Sequence, residues 1–282
     1  MTDLSEALAG VRGLVLDADG VIVLKGEFLP GARDALARLK TLGMPFRIVT
    51  NFSSAHRDTL SARFGDGAVP GYRFITAASA AATYTAVHHP GGRLYVISAP
   101  DALREFDGQT VVSADEADAA APGELAAVVI GDGGDDLSYR NLDVAFRAIR
   151  RGAEFVAMHR NPWWLTTRGE TLDAGAFVAG LEVATGRSPV VCGKPSRVVF
   201  EQALAGLAAD LGVGGLRARD VAMVGDDPTA DIAGARRVGM RGVLVLTGKV
   251  GAHEAEIAMS RPARTRPTVV ADSLVDVVAA LD

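Results

Sequence analysis

The chain is poor in several features that mark particular classes of protein. It has one cysteine among 282 residues, Cys192. That excludes an internal disulfide framework, and no Cys/His spacing fits zinc. The longest apolar runs are strand-length, well short of the ~20 residues that a bilayer span needs. The N-terminal "MTDLSEALAG" lacks the basic and then apolar regions of a signal peptide. Basic residues are not in surplus: 29 Lys and Arg stand against 34 Asp and Glu, for a formal net charge of −5. The two signs are interspersed, so neither a nucleic-acid surface nor a charged tail is expected. There is no internal repeat, no low-complexity segment and no G-x-S-x-G nucleophile elbow. "GKPS" is no phosphate loop, because Ser188 stands where the first glycine belongs and Pro195 replaces Ser/Thr. "GDGG" at 131–134 is a weak nucleotide fingerprint. What remains is ordinary globular composition, 49% hydrophobic and 22% charged, and the expectation of a soluble cytoplasmic protein with no membrane or nucleic-acid partner.

Short apolar runs alternate with stretches of helical periodicity. "VRGLVLD" (11–17), "PFRIVTN" (45–51), "DVAMVGD" (220–226) and "RGVLVLTG" (241–248) read as buried strands. Between the first two, Ala32, Ala35, Leu36, Leu39 and Leu42 recur at helical spacing, and Gly43 is the expected stop. A helix is expected after Asn51, capped by Ser53 or Ser54, and others over 195–212 and 229–239. This order predicts an α/β fold with a Rossmann-like parallel sheet covered by helices. Residues 80–188 differ in texture. They hold strand candidates "RLYVIS", "AAVVIGD" and "AEFVAMH", helices near 138–150 and 174–186, and a soft patch "SADEADAAAPGE". They read as a second α/β unit inserted into the first, giving a discontinuous core at 1–79 and 189–282.

Four short motifs sit at or just after the C-terminal ends of predicted strands, the edge where open parallel sheets bind ligands. They are Asp17 and Asp19 in "DADGV", Thr50 and Asn51, Lys194 in "GKP", and Asp226 in "GDDPTAD". Asp17, Asp19 and Asp226 together would be a carboxylate cluster that cannot stay ionised and buried alone. A hard divalent cation answers that need, and Mg²⁺ suits one or two carboxylates plus a phosphate oxygen. Lys194 adds positive charge, while the Thr50 hydroxyl and Asn51 amide can donate to phosphoryl oxygens. A phosphoryl group in transfer needs cationic clamps, fixed donors and an in-line nucleophile. Asp17, held at a strand end, is the better nucleophile. Asp19, two residues on, can protonate the leaving oxygen and then deprotonate water.

In this order, "DADGV", "TN", "GKP" and "GDDPTAD" resemble the four motifs of the haloacid dehalogenase (HAD) superfamily of phosphohydrolases. The resemblance implies a Mg²⁺ cofactor and an aspartyl-phosphate on Asp17, with Asp19 as general acid/base and also as a metal ligand through its main-chain carbonyl. It assigns phosphoryl binding to Thr50 and Lys194, metal binding to Asp17 and Asp226, and a supporting or water-mediated place to Asp231. About 30 residues separate Asp19 from Thr50, which leaves no room for a cap there, whereas roughly 140 separate Asn51 from Lys194. The insertion therefore resembles the family's type 2 caps, which govern substrate choice. "HRNPWW" and the stretch leading to "VVCGKPS" resemble the branch holding nitrophenyl, pyridoxal phosphate and phospholysine/phosphohistidine pyrophosphate phosphatases. A homodimer through the cap is the matching expectation.

Each residue also has a plainer reading. D-x-D-G alone is common turn chemistry, Asp227 reads as a loop residue, and Asp231 can be an acid favoured by a helix N-terminus. In the cap, Arg160, Asn161 and Trp164 read either as contacts to the leaving group or as a packed corner with tryptophans in the core. His88 and His89 are expected to face solvent, and Cys192 to be packing. The function expected is hydrolysis of a small phosphorylated metabolite. The alternatives are a phosphomutase or a non-catalytic metabolite-binding protein on the same scaffold.

Overall fold

Asp17 ends the strand at the centre of a parallel sheet. The computed structural model describes residues 3–65, 69–166 and 169–281. The first apolar run is β1 (Gly13–Asp17), buried along its length. A small hairpin follows, β2 (Val23–Leu24) with β3 (Glu27–Phe28), then β4 (Phe46–Thr50) and β5 (Phe74–Thr76). The chain next builds a second sheet from β6 (Arg93–Ile97), β7 (Thr110–Val112), β8 (Leu125–Ile130) and β9 (Glu154–Ala157). An antiparallel hairpin, β10 (Trp163–Thr166) with β11 (Gly169–Leu172), precedes the last strand of that sheet, β12 (Val190–Val191). The chain then returns as β13 (Val221–Gly225), β14 (Arg241–Val245) and β15 (Val269–Ala271).

Among the described residues the first sheet runs β15-β14-β13-β1-β4-β5, and its pairs from β15 through β4 are parallel. The chain leaves β1 toward one side and later fills the other, so the strand order reverses between β1 and β13. Ligands of open α/β sheets bind outside the C-terminal ends at such a reversal. Leu16 stands opposite Val224, so Asp17 and Asp226 emerge side by side there. The second sheet, β12-β9-β8-β6-β7, is parallel throughout. Its core includes Val128, Ile130, Ile149, Phe155 and Val178. The α/β architecture with an inserted α/β unit is the one the alternation predicts.

Two compact units result: Met1–Thr50, Asp66–Ile75 and Lys194–Asp282 form one, Asn51–Gly65 and Thr76–Gly193 the other. The segment after Thr50 goes with the second unit because its polar groups are satisfied there. The His56 N–H donates to Asp101 (2.9 Å), and Arg57 pairs with the buried Glu105 carboxylate (2.5 Å).

The helix Ala32–Thr41 buries Ala32, Ala35, Leu36 and Leu39, and Gly43 follows it at φ +64°, as the spacing predicts. Other local expectations change. The helix Arg57–Arg63 is capped by His56, whose Nδ1 accepts the Asp58 N–H, in place of Ser53 or Ser54. The soft patch is a short helix, Ala114–Ala119, with a Ser113–Glu116 capping box. The expected helix over 229–239 divides into a widened π-type turn, Pro228–Ala233, and a short α-helix, Gly234–Arg237. No described helix is long and apolar enough to cross a membrane.

Candidate active site

The C-terminal ends of β1 and β13 concentrate charge in the first unit. Carboxylate oxygens of Asp17, Asp226 and Asp231 all lie within 4.8 Å of one another. Lys194 reaches this cluster from the start of the segment after β12. Its Nζ lies 2.6 Å from Asp17 Oδ1 and 2.7 Å from Asp231 Oδ1. All four residues are buried. Three ionised carboxylates against one ammonium leave two negative charges, the deficit a divalent cation removes.

The chain is shaped to hold this cluster. Asp17 Oδ1 also accepts the Ala18 N–H (2.7 Å), so both of those contacts fall on one oxygen. Asp227 caps the turn at Pro228, its Oδ1 taking the Thr229 and Ala230 N–H groups. The widened turn then brings Asp231 back, so that its Oδ2 accepts the Asp227 N–H (3.0 Å). Asp226 Oδ2 accepts the Lys249 N–H (2.8 Å), whereas its Oδ1 is buried with no hydrogen-bond partner. Such an oxygen is costly unless a cation completes it, and an all-oxygen carboxylate set suits Mg²⁺. The residues present therefore fit the metal expected from the sequence. Two glycines make the approach possible: a Cβ on Gly20 (φ +77°) or on Gly248 would overlap the Asp226 carboxylate.

Burial pushes the acids up. Asp226 rises to about 6, from burial and then the Asp231 charge, with Lys249 opposing. Asp231 rises to about 7, from burial and then Asp17, with Lys194 opposing. Asp17 is also raised, burial outweighing Lys194. Burial works against the Lys194 ammonium, but Asp17 and Asp231 overcome it and hold its pKa above the ordinary value. Asp19 is exposed to water on one side, yet surrounding protein still raises its carboxyl, against the pull of Lys194 and Lys249. A carboxyl raised in this way is suited to giving up a proton.

Of the residues expected from the sequence, Asp17, Lys194, Asp226 and Asp231 come together, with Thr50 buried at the end of the neighbouring β4. Asp231 is a direct ion-pair partner of Lys194 as well as an acid at a turn. Asn51 belongs to the second unit, where its Nδ2 donates to Asn161 Oδ1 (3.4 Å). Arg160 pairs with Glu182 at 2.5 Å. Trp163 and Trp164 are 55% and 39% exposed on the β10 hairpin, so the packed-core reading does not describe them. Cys192 is buried packing, its thiol pushed up to about 12 by burial and then by Glu154. His88 is exposed, but His89 pairs with Glu154 (2.7 Å). Lys249 went unrecognised in the sequence. Its place just past β14, on the same ligand-binding edge, is the signal that could have found it.

Comparison with known proteins identifies the family and the fold. The family model described as haloacid dehalogenase-like hydrolase matches residues 14–111, and a HAD-hydrolase-like model matches 191–277. Human phospholysine phosphohistidine inorganic pyrophosphate phosphatase is 31% identical, over 98% of this chain and 94% of its own. Among solved structures, p-nitrophenyl phosphatase from Archaeoglobus fulgidus superposes with a TM-score of 0.82 at 29% identity, covering 96% of this chain and 99% of its own. A glycerol phosphate phosphatase from Mycobacterium tuberculosis, in complex with magnesium, gives 0.79 at 28% identity, covering 98% and 78%.

Proposed function

This chain belongs to the haloacid dehalogenase-like hydrolase family as one of its phosphohydrolases, and from that premise we propose that it is a magnesium-dependent phosphatase of a small phosphorylated metabolite, working through a phosphoryl group carried on Asp17. The observation that carries this reading is the cluster of Asp17, Asp226 and Asp231 around Lys194, with a buried Asp226 oxygen left without a partner.

Asp17, Asp226 and the Asp19 main-chain carbonyl would hold the metal, with Asp231 supporting them. The ion supplies positive charge to the phosphoryl oxygens and relieves the carboxylate repulsion. The chain's own residues do the rest. Asp17 Oδ1 is anchored to Ala18 and Lys194, so Oδ2 is the attacking oxygen. It bonds to phosphorus as the ester P–O bond breaks, and the leaving oxygen takes the proton of Asp19. Asp19, now a carboxylate, takes a proton from water as the water oxygen attacks phosphorus, and the Asp17 carboxylate departs. Lys194, the Thr50 hydroxyl and the Asn51 amide hold the non-bridging oxygens through both steps. The second unit serves as the type 2 cap that selects the substrate. Asn161 and the exposed Trp164 are its leading contacts, because Arg160 would first have to leave Glu182.

The test is phosphate release from a panel of phosphorylated compounds, with Mg²⁺ and with chelator. The relatives' names suggest starting with p-nitrophenyl phosphate, glycerol phosphate, pyrophosphate and compounds with a P–N bond. Release is expected only with metal, and Asp17→Asn is expected to abolish it. A pure Asp17→Asn protein that still turns over would refute the mechanism. Phosphate moved within a substrate would indicate a mutase, and binding without either would indicate a non-catalytic protein.

A further inference from the structure

The C-terminal edge of the second parallel sheet would ordinarily be open to a ligand. Here residues at the ends of β6, β8 and β9 meet the chain's own segment 51–53. The Ser98 hydroxyl donates to the Ser53 main-chain oxygen (3.1 Å), and the Asp132 N–H donates to Ser53 Oγ (3.2 Å). His159, 1% exposed, sits 2.9 Å from Ser53 Oγ through Nε2. Its other nitrogen, Nδ1, accepts the Asn161 N–H (3.2 Å). Asn161 in turn accepts from Asn51. The contacts form a closed ring: Asn51 to Asn161, Asn161 to His159, His159 to Ser53, and two residues of backbone from Ser53 to Asn51.

We propose that His159 is a positioning residue: a neutral imidazole, protonated on Nε2, whose two nitrogens close this ring and so fix the amide of Asn51 for phosphoryl binding. The inference rests on the phosphatase reading, in which Asn51 is a donor to the transferred group. The tautomer follows from the partners. Nδ1 faces a backbone N–H and must be the acceptor, so the single ring proton lies on Nε2, toward Ser53 Oγ. The acids facing the ring are Asp132, beyond β8, and Asp173, the N-cap of helix Ala174–Thr185. Asp173 Oδ1 lies 3.6 Å from Nε2. Burial lowers the His159 pKa to about 4 against the Asp132 charge, in keeping with a neutral ring. This is no Ser-His-Asp triad, since hydroxyl and carboxylate face the same nitrogen.

Two substitutions separate positioning from packing. His159→Asn puts an amide oxygen near the place of Nδ1, so it can keep the Asn161 N–H and lose Ser53. His159→Gln reaches toward Ser53 but leaves no acceptor at Nδ1. Both remove the imidazole, but only His159→Gln cuts the Asn161 link through which Asn51 is held. We expect His159→Asn to hold kcat/KM within a few-fold, and His159→Gln to lose about tenfold, the worth of one hydrogen bond to a reacting group. In an Asn51→Ala background the His159→Gln loss should vanish, because both changes cut the same Asn51–Asn161–His159 link. Nitrogen NMR of His159 should report protonated Nε2 and bare Nδ1 from pH 5.5 to 8, a readout independent of turnover. Equal losses in the two variants, additive losses with Asn51→Ala, or a proton on Nδ1 would each overturn the proposal. Absence of phosphate release by the unaltered protein would overturn the phosphatase reading instead, and the NMR tautomer would still decide the ring.

Discussion

Asp226→Asn should make the metal-free protein more stable while disabling it. Asp226 is 2% exposed, with one oxygen on the Lys249 N–H and the other unpartnered. Its pKa stands at about 6 against an ordinary 3.8. A pKa raised by folding means that the folded state holds the proton more tightly than the unfolded state does. The associated stability is fully present below pH 3.8 and is lost as the pH rises through 6. Above that the ionised carboxylate costs about 3 kcal/mol, at 1.36 kcal/mol for each pKa unit. Asparagine keeps the acceptor for Lys249 and removes the charge. Its NH₂ replaces the unpartnered oxygen and goes unsatisfied itself, returning about 1 kcal/mol. The net gain is about 2 kcal/mol at pH 8, or roughly 4–8 °C in Tm. Thermal melts of both proteins in chelator, from pH 4 to 8, test this. The gap should be widest at pH 8 and close toward pH 4. Mg²⁺ should raise the Tm of the unaltered protein by mass action and leave the variant unmoved. A variant less stable at pH 8, or a gap independent of pH, would show that burial does not destabilise the ionised Asp226 carboxylate.

Lys194→Met removes the ammonium between Asp17 and Asp231 and should destabilise the first unit by roughly 3 kcal/mol. Asp231, already at about 7, should then rise further, so the deficit should grow between pH 6 and 8.5 in melts under chelator. Gly248→Ala drives a Cβ into the Asp226 carboxylate; calorimetric titration should show Mg²⁺ affinity falling at least tenfold, with the fold retained by circular dichroism. Glu105→Gln breaks the pair with Arg57, whose own side chain is about a third exposed. A loss of about 2 kcal/mol is expected after allowing for solvent screening, read by denaturant melts and by faster proteolysis within residues 51–65.

Four strands of the first sheet, β1, β4, β13 and β14, were legible because each carries a short apolar run that ends at polar residues, whereas β5, three residues long, offers no such run. "LVLD" and "VAMVGD" announce both a buried strand and a charged C-terminal end. The helix Ala77–His88 escaped notice because Ala77–Ala82 are buried all round, so it has no amphipathic stripe to betray it. The β10–β11 hairpin was missed for a related reason: Trp163 and Trp164 are exposed, and adjacent apolar residues break the alternation that marks a strand.

Taken alone, the amino-acid order determined which acids stand at strand ends, that Lys194 lies far along the chain from Asp17, and that an α/β segment separates them. Those are local facts of pattern and spacing. Only the tertiary structure decided that Asp231 meets Lys194, that the Lys249 N–H holds Asp226, and that Asn51 is joined through Asn161 and His159 to Ser53. Each contact depends on how a turn is wound and on which distant backbone lies beside it. Burial, which raises the pKa of these acids, belongs to the assembled core and to no single stretch of chain.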